Sequence, residues 1–311
     1  MSHNLSICLP VRILPVTKDT ALSSQGQGEA RSRTIGPGFS AAFLPGKKVD
    51  RRNVESIRLR IGTANVGTMR GKSGEIVEMV VRRRLDFCCL QETRWNGGSA
   101  RTMGKFKFFW TGCEEGTAGV GFLVAERWVE KVLEVKRVSA RLMLLRVMVG
   151  GSVLNLISVY APQVGRSMEE KEEFYVSLLK TVSSIDASER LMVCGDFNGH
   201  VGAGVDGFEG VHGGKGFGSR NAEGEMLLEF ADAVDLAVGN TWFTKDEAKL
   251  VTYESGGCRT VVDYILVRKN ERSLLSNITV LQCEPSLQQH KLLVCMMELQ
   301  ENVKRKRERC S

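Results

Sequence analysis

The sequence predicts an α+β or α/β layered sandwich with antiparallel strand pairs, and three observations carry that expectation. Strand-like apolar runs recur along most of the chain, a few amphipathic helical patterns fall between them, and no internal repeat is visible. In order, the runs are Ile57 to Ala64, Leu85 to Gln91, Val120 to Ala125, Val132 to Val138, Leu142 to Val149, Val153 to Tyr160, Leu191 to Gly195, Val261 to Val267 and Leu292 to Met297. The helical stretches place apolar residues three or four apart. Ile76, Met79 and Val80 share one face; Phe174, Leu178 and Leu179 share another behind a Ser167-x-x-Glu170 capping box; Met226, Phe230 and Val234 follow an Asn221 cap.

A chain of 311 residues with 42% hydrophobic side chains can bury one large core or two modest ones. Motifs spread over residues 57–299 decide for one domain. Residues 1–56 hold no sustained period and carry Ser, Gly and Gln clusters followed by Lys47, Lys48, Arg51 and Arg52, so they read as a mostly disordered leader. Residues 300–311 form a basic tail, Lys304-Arg305-Lys306-Arg307 with Arg309, which is either a solvated end or a nuclear import or phosphate-contacting segment. Pro10, Arg12 and Pro15 break the early apolar residues, so neither a secretory core nor a membrane span can be built there. The expectation is a soluble, intracellular protein without a membrane partner. A formal charge of +7 permits a polyanionic partner without the charge density of a dedicated nucleic-acid arm. The 9 cysteines form no CxxC pair, and several sit in apolar runs such as Phe87-Cys88-Cys89-Leu90; they read as buried reduced thiols rather than zinc ligands or disulfides.

Chemistry is concentrated where polar residues stand at the ends of apolar runs. The segments are Ala64-Asn65-Val66, Leu90-Gln91-Glu92, Val193-Cys194-Gly195-Asp196-Phe197-Asn198 and Val261-Val262-Asp263-Tyr264. Alone, a strand-ending Asn or Asp is more often a turn or a helix cap. Together they supply several acids and amides beside buried strands, which is costly unless each finds a partner, and a hard divalent cation with oxygen ligands is one such partner.

These residues resemble a known family. Asn65, Gln91-Glu92, Tyr160-Ala161-Pro162, Gly195-Asp196-Phe197-Asn198, Asp263-Tyr264 and His290 stand in the order and approximate spacing of the endonuclease/exonuclease/phosphatase superfamily, which includes abasic-site nucleases and the nicking domains of non-LTR retrotransposons. The finer wording, Cys89-Leu90-Gln91-Glu92-Thr93-Arg94-Trp95, Ala118-Gly119-Val120-Gly121-Phe122-Leu123-Val124, Gly195 to Gly202 and Gln289-His290-Lys291-Leu292-Leu293-Val294, looks like the endonuclease domain of RTE-type retrotransposons and craniofacial development protein 2-like sequences. The resemblance implies a four-layer α/β sandwich of two packed mixed, largely antiparallel sheets flanked by helices. It implies a Mg2+-dependent phosphodiesterase, with Mn2+ as a substitute, acting on DNA as an endonuclease, and the expectation is a monomer with a nuclear location.

The resemblance also assigns roles. Glu92 is the implied principal metal ligand, with Asn65 beside it on metal or phosphate; Asp196 activates water or protonates the leaving group, and Asn198 orients the attack. Asp263 and His290 form the implied carboxylate–imidazole pair, and the Tyr160 hydroxyl supports the phosphate. Gln289 stands where the wider superfamily commonly has Asp, and it is a further candidate for the metal. The Gly-rich stretch 213–221 lacks the P-loop pattern and is expected to be a surface loop near the substrate, with Arg220 as a candidate phosphate contact. Trp242 and Tyr253 are candidates for meeting a base or sugar, whereas His200 and His212, both in Gly-rich loops, are expected to be structural or exposed. Two alternatives stand beside the DNA endonuclease: hydrolysis of another phosphoester, RNA or a phospholipid headgroup, and a non-catalytic transposon-derived binding protein.

Overall fold

Residues 55–301 are described by the structure, a computed structural model. Expectations for the leader before residue 55, for the Lys304 to Arg309 cluster and for Cys8 and Cys310 lie outside the described residues.

The first strand, β1 (Glu55–Asn65), alternates Leu59 and Ile61 onto one buried face. Helix α1 (Ser73–Arg82) leads from it to β2 (Phe87–Gln91), which runs parallel to β1, as a helical crossover permits. A meander of β3 (Gly98–Met103), β4 (Phe106–Thr111) and β5 (Val120–Ala125) follows, ending in the short α2 (Glu126–Val129). Then β6 (Val132–Ser139), β7 (Leu142–Val149) and β8 (Ser152–Tyr160) pair antiparallel in succession. The second crossover, α3 (Met168–Ser183), leads to β9 (Arg190–Asp196), parallel to β8. Beyond it lie the ribbon of β10 (Val201–Gly202) and β11 (Phe217–Arg220), then α4 (Ala222–Ala233) and β12 (Leu236–Val238). The hairpin of β13 (Tyr253–Ser255) and β14 (Cys258–Thr260) precedes β15 (Asp263–Arg268), β16 (Leu275–Leu281) and β17 (Leu292–Glu301).

Two large sheets result. One has 7 strands in the order β16-β17-β1-β2-β5-β4-β3, the other 6 in the order β12-β15-β9-β8-β7-β6. Leu59, Ile61, Phe87 and Phe122 of the first meet Leu145, Leu156, Met192 and Ile265 of the second in a shared core. The outer face of the 6-stranded sheet is covered by α3 and α4 through Phe174, Leu178, Leu227 and Phe230. The outer face of the 7-stranded sheet is covered by α1 through Ile76, Met79 and Val80. This is the α+β, four-layer sandwich of mixed, largely antiparallel sheets.

Both N-caps form, but the Ser167-x-x-Glu170 box closes on one side only, since the Glu170 carboxylate lies by Arg166 at 3.8 Å and no bond from it to the Ser167 N–H is found among the described residues. Ser167 accepts from the Glu170 backbone N–H at 3.3 Å and Asn221 from that of Gly224 at 2.9 Å. The cysteine expectation needs a correction: Cys88, Cys89, Cys194 and Cys295 are buried, but Cys258 opens an exposed strand of a two-stranded ribbon and Cys283 lies on the connection after β16, and both are exposed. No described helix is long and apolar enough to cross a membrane.

Candidate active site

Strand register assembles the site. Asn65 ends β1 opposite Gln91, the last residue of β2, so Glu92 emerges beside it. In the other sheet Tyr160 ends β8 opposite Asp196, the last residue of β9, and Asp196 in turn faces Asp263, the first residue of β15. His290 precedes β17, whose Leu293 pairs with Thr63 of β1. Parallel pairing puts the carboxyl ends of β1 and β2, and of β8 and β9, together, and antiparallel pairing brings the starts of β15 and β17 to the same place.

A chain of polar contacts crosses from one sheet to the other. Asn65 donates through Nδ2 to Asp196 Oδ2 at 3.0 Å, while its Oδ1 accepts from the Gly67 N–H at 2.9 Å, which fixes the orientation of the amide. His290 Nδ1 meets Asp263 Oδ2 at 3.0 Å, and its Nε2 faces Asp196 Oδ2 at 3.8 Å. Asp196 Oδ1 accepts from the Asn198 N–H at 3.0 Å, and Asn198 Nδ2 donates to the Ala161 carbonyl at 2.9 Å. Tyr160 donates its hydroxyl to the Glu92 carboxylate, and Arg94 approaches the other oxygen of Glu92 at 3.4 Å. Glu92, Arg94 and Asn198 all have positive φ, at 52°, 52° and 49°. Asn tolerates that region, whereas Glu and Arg there store backbone strain that the surrounding structure must hold in place.

Burial sets the proton affinities. It raises the Asp196 carboxyl first, the neighbouring Asp263 carboxylate adds to this, and the value reaches about 7 despite the opposing pull of His290 and the bonds from Asn65 and Asn198. Burial alone lowers the His290 imidazole, but Asp263, then Asp196 and Glu92, outweigh it and push the ring up to about 9. The Tyr160 hydroxyl is pushed far up, by burial and then by Glu92, so it stays protonated as a donor. At neutral pH the site therefore holds an imidazolium clamped by Asp263 next to a carboxyl poised between its two forms.

Asp196, Asp263 and His290 each offer one ligand atom within 4.8 Å of the others. An imidazolium cannot ligate, so we read these three as a proton network rather than a closed metal cage. A divalent cation fits beside them on other grounds. Asp263 Oδ1 is buried without a hydrogen-bond partner among the described residues. The Glu92 carboxylate and the Asn65 and Asp196 oxygens are hard donors, the class that Mg2+ and Mn2+ prefer. Acid oxygens crowded into one buried place are what a cation offsets.

An open cleft of about 420 Å3 exposes the group, lined by Asn65, Glu92, Asp196, Asn198 and His290, with Gln163, His200 and Tyr253 around them. Sequence reasoning named Asn65, Glu92, Tyr160, Asp196, Asn198, Asp263 and His290, and all seven meet here. Gln289 also lines the cleft, but its side-chain amide donates to Ser255 Oγ at 2.9 Å and is not gathered with the acids. Arg220 is not brought to the cleft. Its guanidinium stacks on Phe208 at 5.0 Å and donates to the carbonyls of Val201, Gly204, Val205 and Asp206, so it clamps its own loop. Trp242 is likewise elsewhere, under Arg272 at 3.7 Å, whereas Tyr253 packs edge-on against His290 with ring centroids 4.9 Å apart. His212 is structural, buried between the Gly202 carbonyl and the Gly214 N–H. Gln163 and His200 were missed as cleft residues. The turn after Tyr160-Ala161-Pro162 and the loop after Asn198 were the available signals, since loops following catalytic strands line active sites.

Residues 62–284 match the sequence model of the Endonuclease/Exonuclease/phosphatase family. Craniofacial development protein 2 of Bos taurus is 27% identical over 243 residues, or 77% of this chain, and the chain spans 41% of that relative's length. The endonuclease domain of TRAS1, a telomere-specific non-LTR retrotransposon, shares the fold with a TM-score of 0.55 at 14% identity, covering 78% of this chain and 98% of that one. The 3′ phosphatase NExo of Neisseria, solved with a product DNA hairpin, gives 0.58 at 16% identity over 76% and 98%.

Proposed function

Because this chain belongs to the endonuclease/exonuclease/phosphatase family, we propose that it is a metal-dependent DNA endonuclease of retrotransposon descent that nicks the phosphodiester backbone. The observation that carries this reading is the chain Asn65, Asp196, His290, Asp263, which joins both sheets at an open cleft beside Glu92 and Tyr160.

Asp196, with a value of about 7, can take a proton from the attacking water near neutral pH or return one to the departing oxygen. His290 carries positive charge toward a phosphate oxygen while Asp263 fixes its ring through Nδ1. Tyr160 offers a hydroxyl that stays protonated, and Asn198, tied to Ala161, is held in one orientation. Glu92 and the Asn65 oxygen would hold a divalent cation, proposed as Mg2+, which when bound polarises the phosphoryl oxygen and shields developing charge. A DNA substrate is supported by the formal charge of +7 and by the likeness to the TRAS1 endonuclease domain and to a DNA-bound phosphatase.

Plasmid nicking by the full chain tests the proposal. Supercoiled DNA should open only with Mg2+ or Mn2+, fail in EDTA, and be cut at least a hundredfold more slowly by Glu92→Ala, the order of effect that removing one charge-stabilising group produces. A protein that binds DNA but cuts none under any of these conditions would favour the non-catalytic alternative, and cleavage of RNA or a phospholipid headgroup alone would move the substrate class.

A further inference from the structure

One cleft residue has no part in the network above. His200 lines the same cleft as Asn65, Glu92, Asp196 and His290, and no hydrogen-bond partner for its ring is found among the described residues. Its backbone is held on both sides by a single residue. Asn221 accepts the His200 N–H through Oδ1 at 2.8 Å and donates its own N–H to the His200 carbonyl at 3.1 Å. Asn221 is also the N-cap of α4, so the position of His200 is fixed to a helix rather than left to a loop.

The neighbouring rim is anchored to the same helical turn. Lys171, buried, donates to the Val164 carbonyl at 2.8 Å and to Glu223 of α4 at 2.9 Å, and Val164 and Gly165 line the cleft. The first turn of α4 thus holds two stretches of cleft wall, and the His200 ring beside them has no bond of its own among the described residues. Burial lowers the affinity of this ring for a proton, partly countered by Glu223, whose carboxylate is engaged with Lys171. The ring is therefore a neutral donor and acceptor in a cleft whose carboxylates, Glu92 and Asp196, are engaged with Tyr160 and Asn65.

We propose that His200 is a substrate-contacting residue whose imidazole N–H donates to a non-bridging oxygen of a phosphate flanking the scissile one. This rests on the reading that the substrate is a polynucleotide. An imidazole on an anchored backbone, with no protein acceptor for its N–H among the described residues, in a cleft of about 420 Å3, matches an anionic oxygen supplied by the continuing strand.

The test pairs protein and substrate changes in the full chain. His200→Ala should raise KM for a short duplex roughly three- to tenfold, the span of one hydrogen bond, with kcat changed less than about twofold. His200→Gln, which keeps an N–H donor, should recover most of that loss. Single methylphosphonate substitutions scanned on both sides of the break should find one position that weakens the wild type by a similar factor and adds nothing to His200→Ala. Additive effects at every position, an unchanged KM, or a loss confined to thermal stability would each overturn the proposal. Should the wild type bind the duplex without cutting it, the endonuclease reading falls, and the same coupling read by fluorescence anisotropy in EDTA still decides for or against His200. If it neither binds nor cuts, both fall together.

Discussion

An imidazole with an ordinary value of 6.5 is mostly neutral at pH 7.5, yet the His290 ring, pushed up to about 9, is a cation there. Its folded-state value lies above the ordinary one, so the stabilisation it contributes is complete below pH 6.5 and is lost as pH rises through about 9. Asp263, in direct contact at 3.0 Å, is the chief opponent of burial. Asp263→Asn should therefore drop the His290 midpoint well below 9, read from the imidazole resonances of metal-free protein, and slow catalysis by a factor on the order of 100 or more. A midpoint that stays put would remove Asp263 as the cause. At this scale the site was largely legible, because an acid or amide at the end of an apolar run can be read without knowing the fold. What could not be read was side-chain direction. Arg220 and Gln289 sit in plausible segments, but one is spent on the carbonyls of its own loop and the other on Ser255, and no spacing in the chain reports either choice.

The first turn of α4 shows how an element holds a site it does not enter. A Gly inside a helix normally costs about 1 kcal/mol relative to Ala, so Gly224→Ala would be expected to stabilise α4 on propensity alone. Here a Cβ on residue 224 would fall on the His200 carbonyl oxygen, and next to the Val201 N–H at 2.9 Å. These neighbours are backbone atoms, which cannot swing aside as a side chain would. The clash should win, giving a net destabilisation of about 1–3 kcal/mol, the usual range for overpacking. Denaturant unfolding checks it, and a midpoint that rises would show that the loop after Asn198 yields easily. The cap itself was visible as Asn221 before an apolar period, but the close approach of α4 to His200 was not, since it depends on residues 21 apart in the chain meeting.

Across the described residues, the apolar runs marked nine strands, and the sandwich follows from them, but β3, β4, β12 and β16 of the two large sheets and the short ribbon strands β10, β11, β13 and β14 were not anticipated. β3 is exposed along nearly its whole length, so it has no hydrophobic period to detect; it is a strand because it pairs with β4. β4 and β16 mix buried with partly or fully exposed residues without strict alternation, so neither reads as an unbroken apolar run. The site spans both sheets, since Asn65 and Glu92 belong to the 7-stranded sheet and Asp196 and Asp263 to the other. A cation held by Glu92, Asn65 and Asp196 would bridge them, and binding to the folded state alone would stabilise the whole sandwich. At a metal concentration 100 times Kd that contribution is about 2.7 kcal/mol. For a domain of this size it corresponds to a rise in Tm of roughly 5–10 °C. Mg2+ or Mn2+ should therefore raise Tm saturably, the rise should shrink below pH 7 as protons compete for Asp196, and Glu92→Gln should abolish it. An equal rise in the Gln variant would mean that the ions act on the surface at large, and Glu92 would then lose its place as the ligand that joins the two sheets.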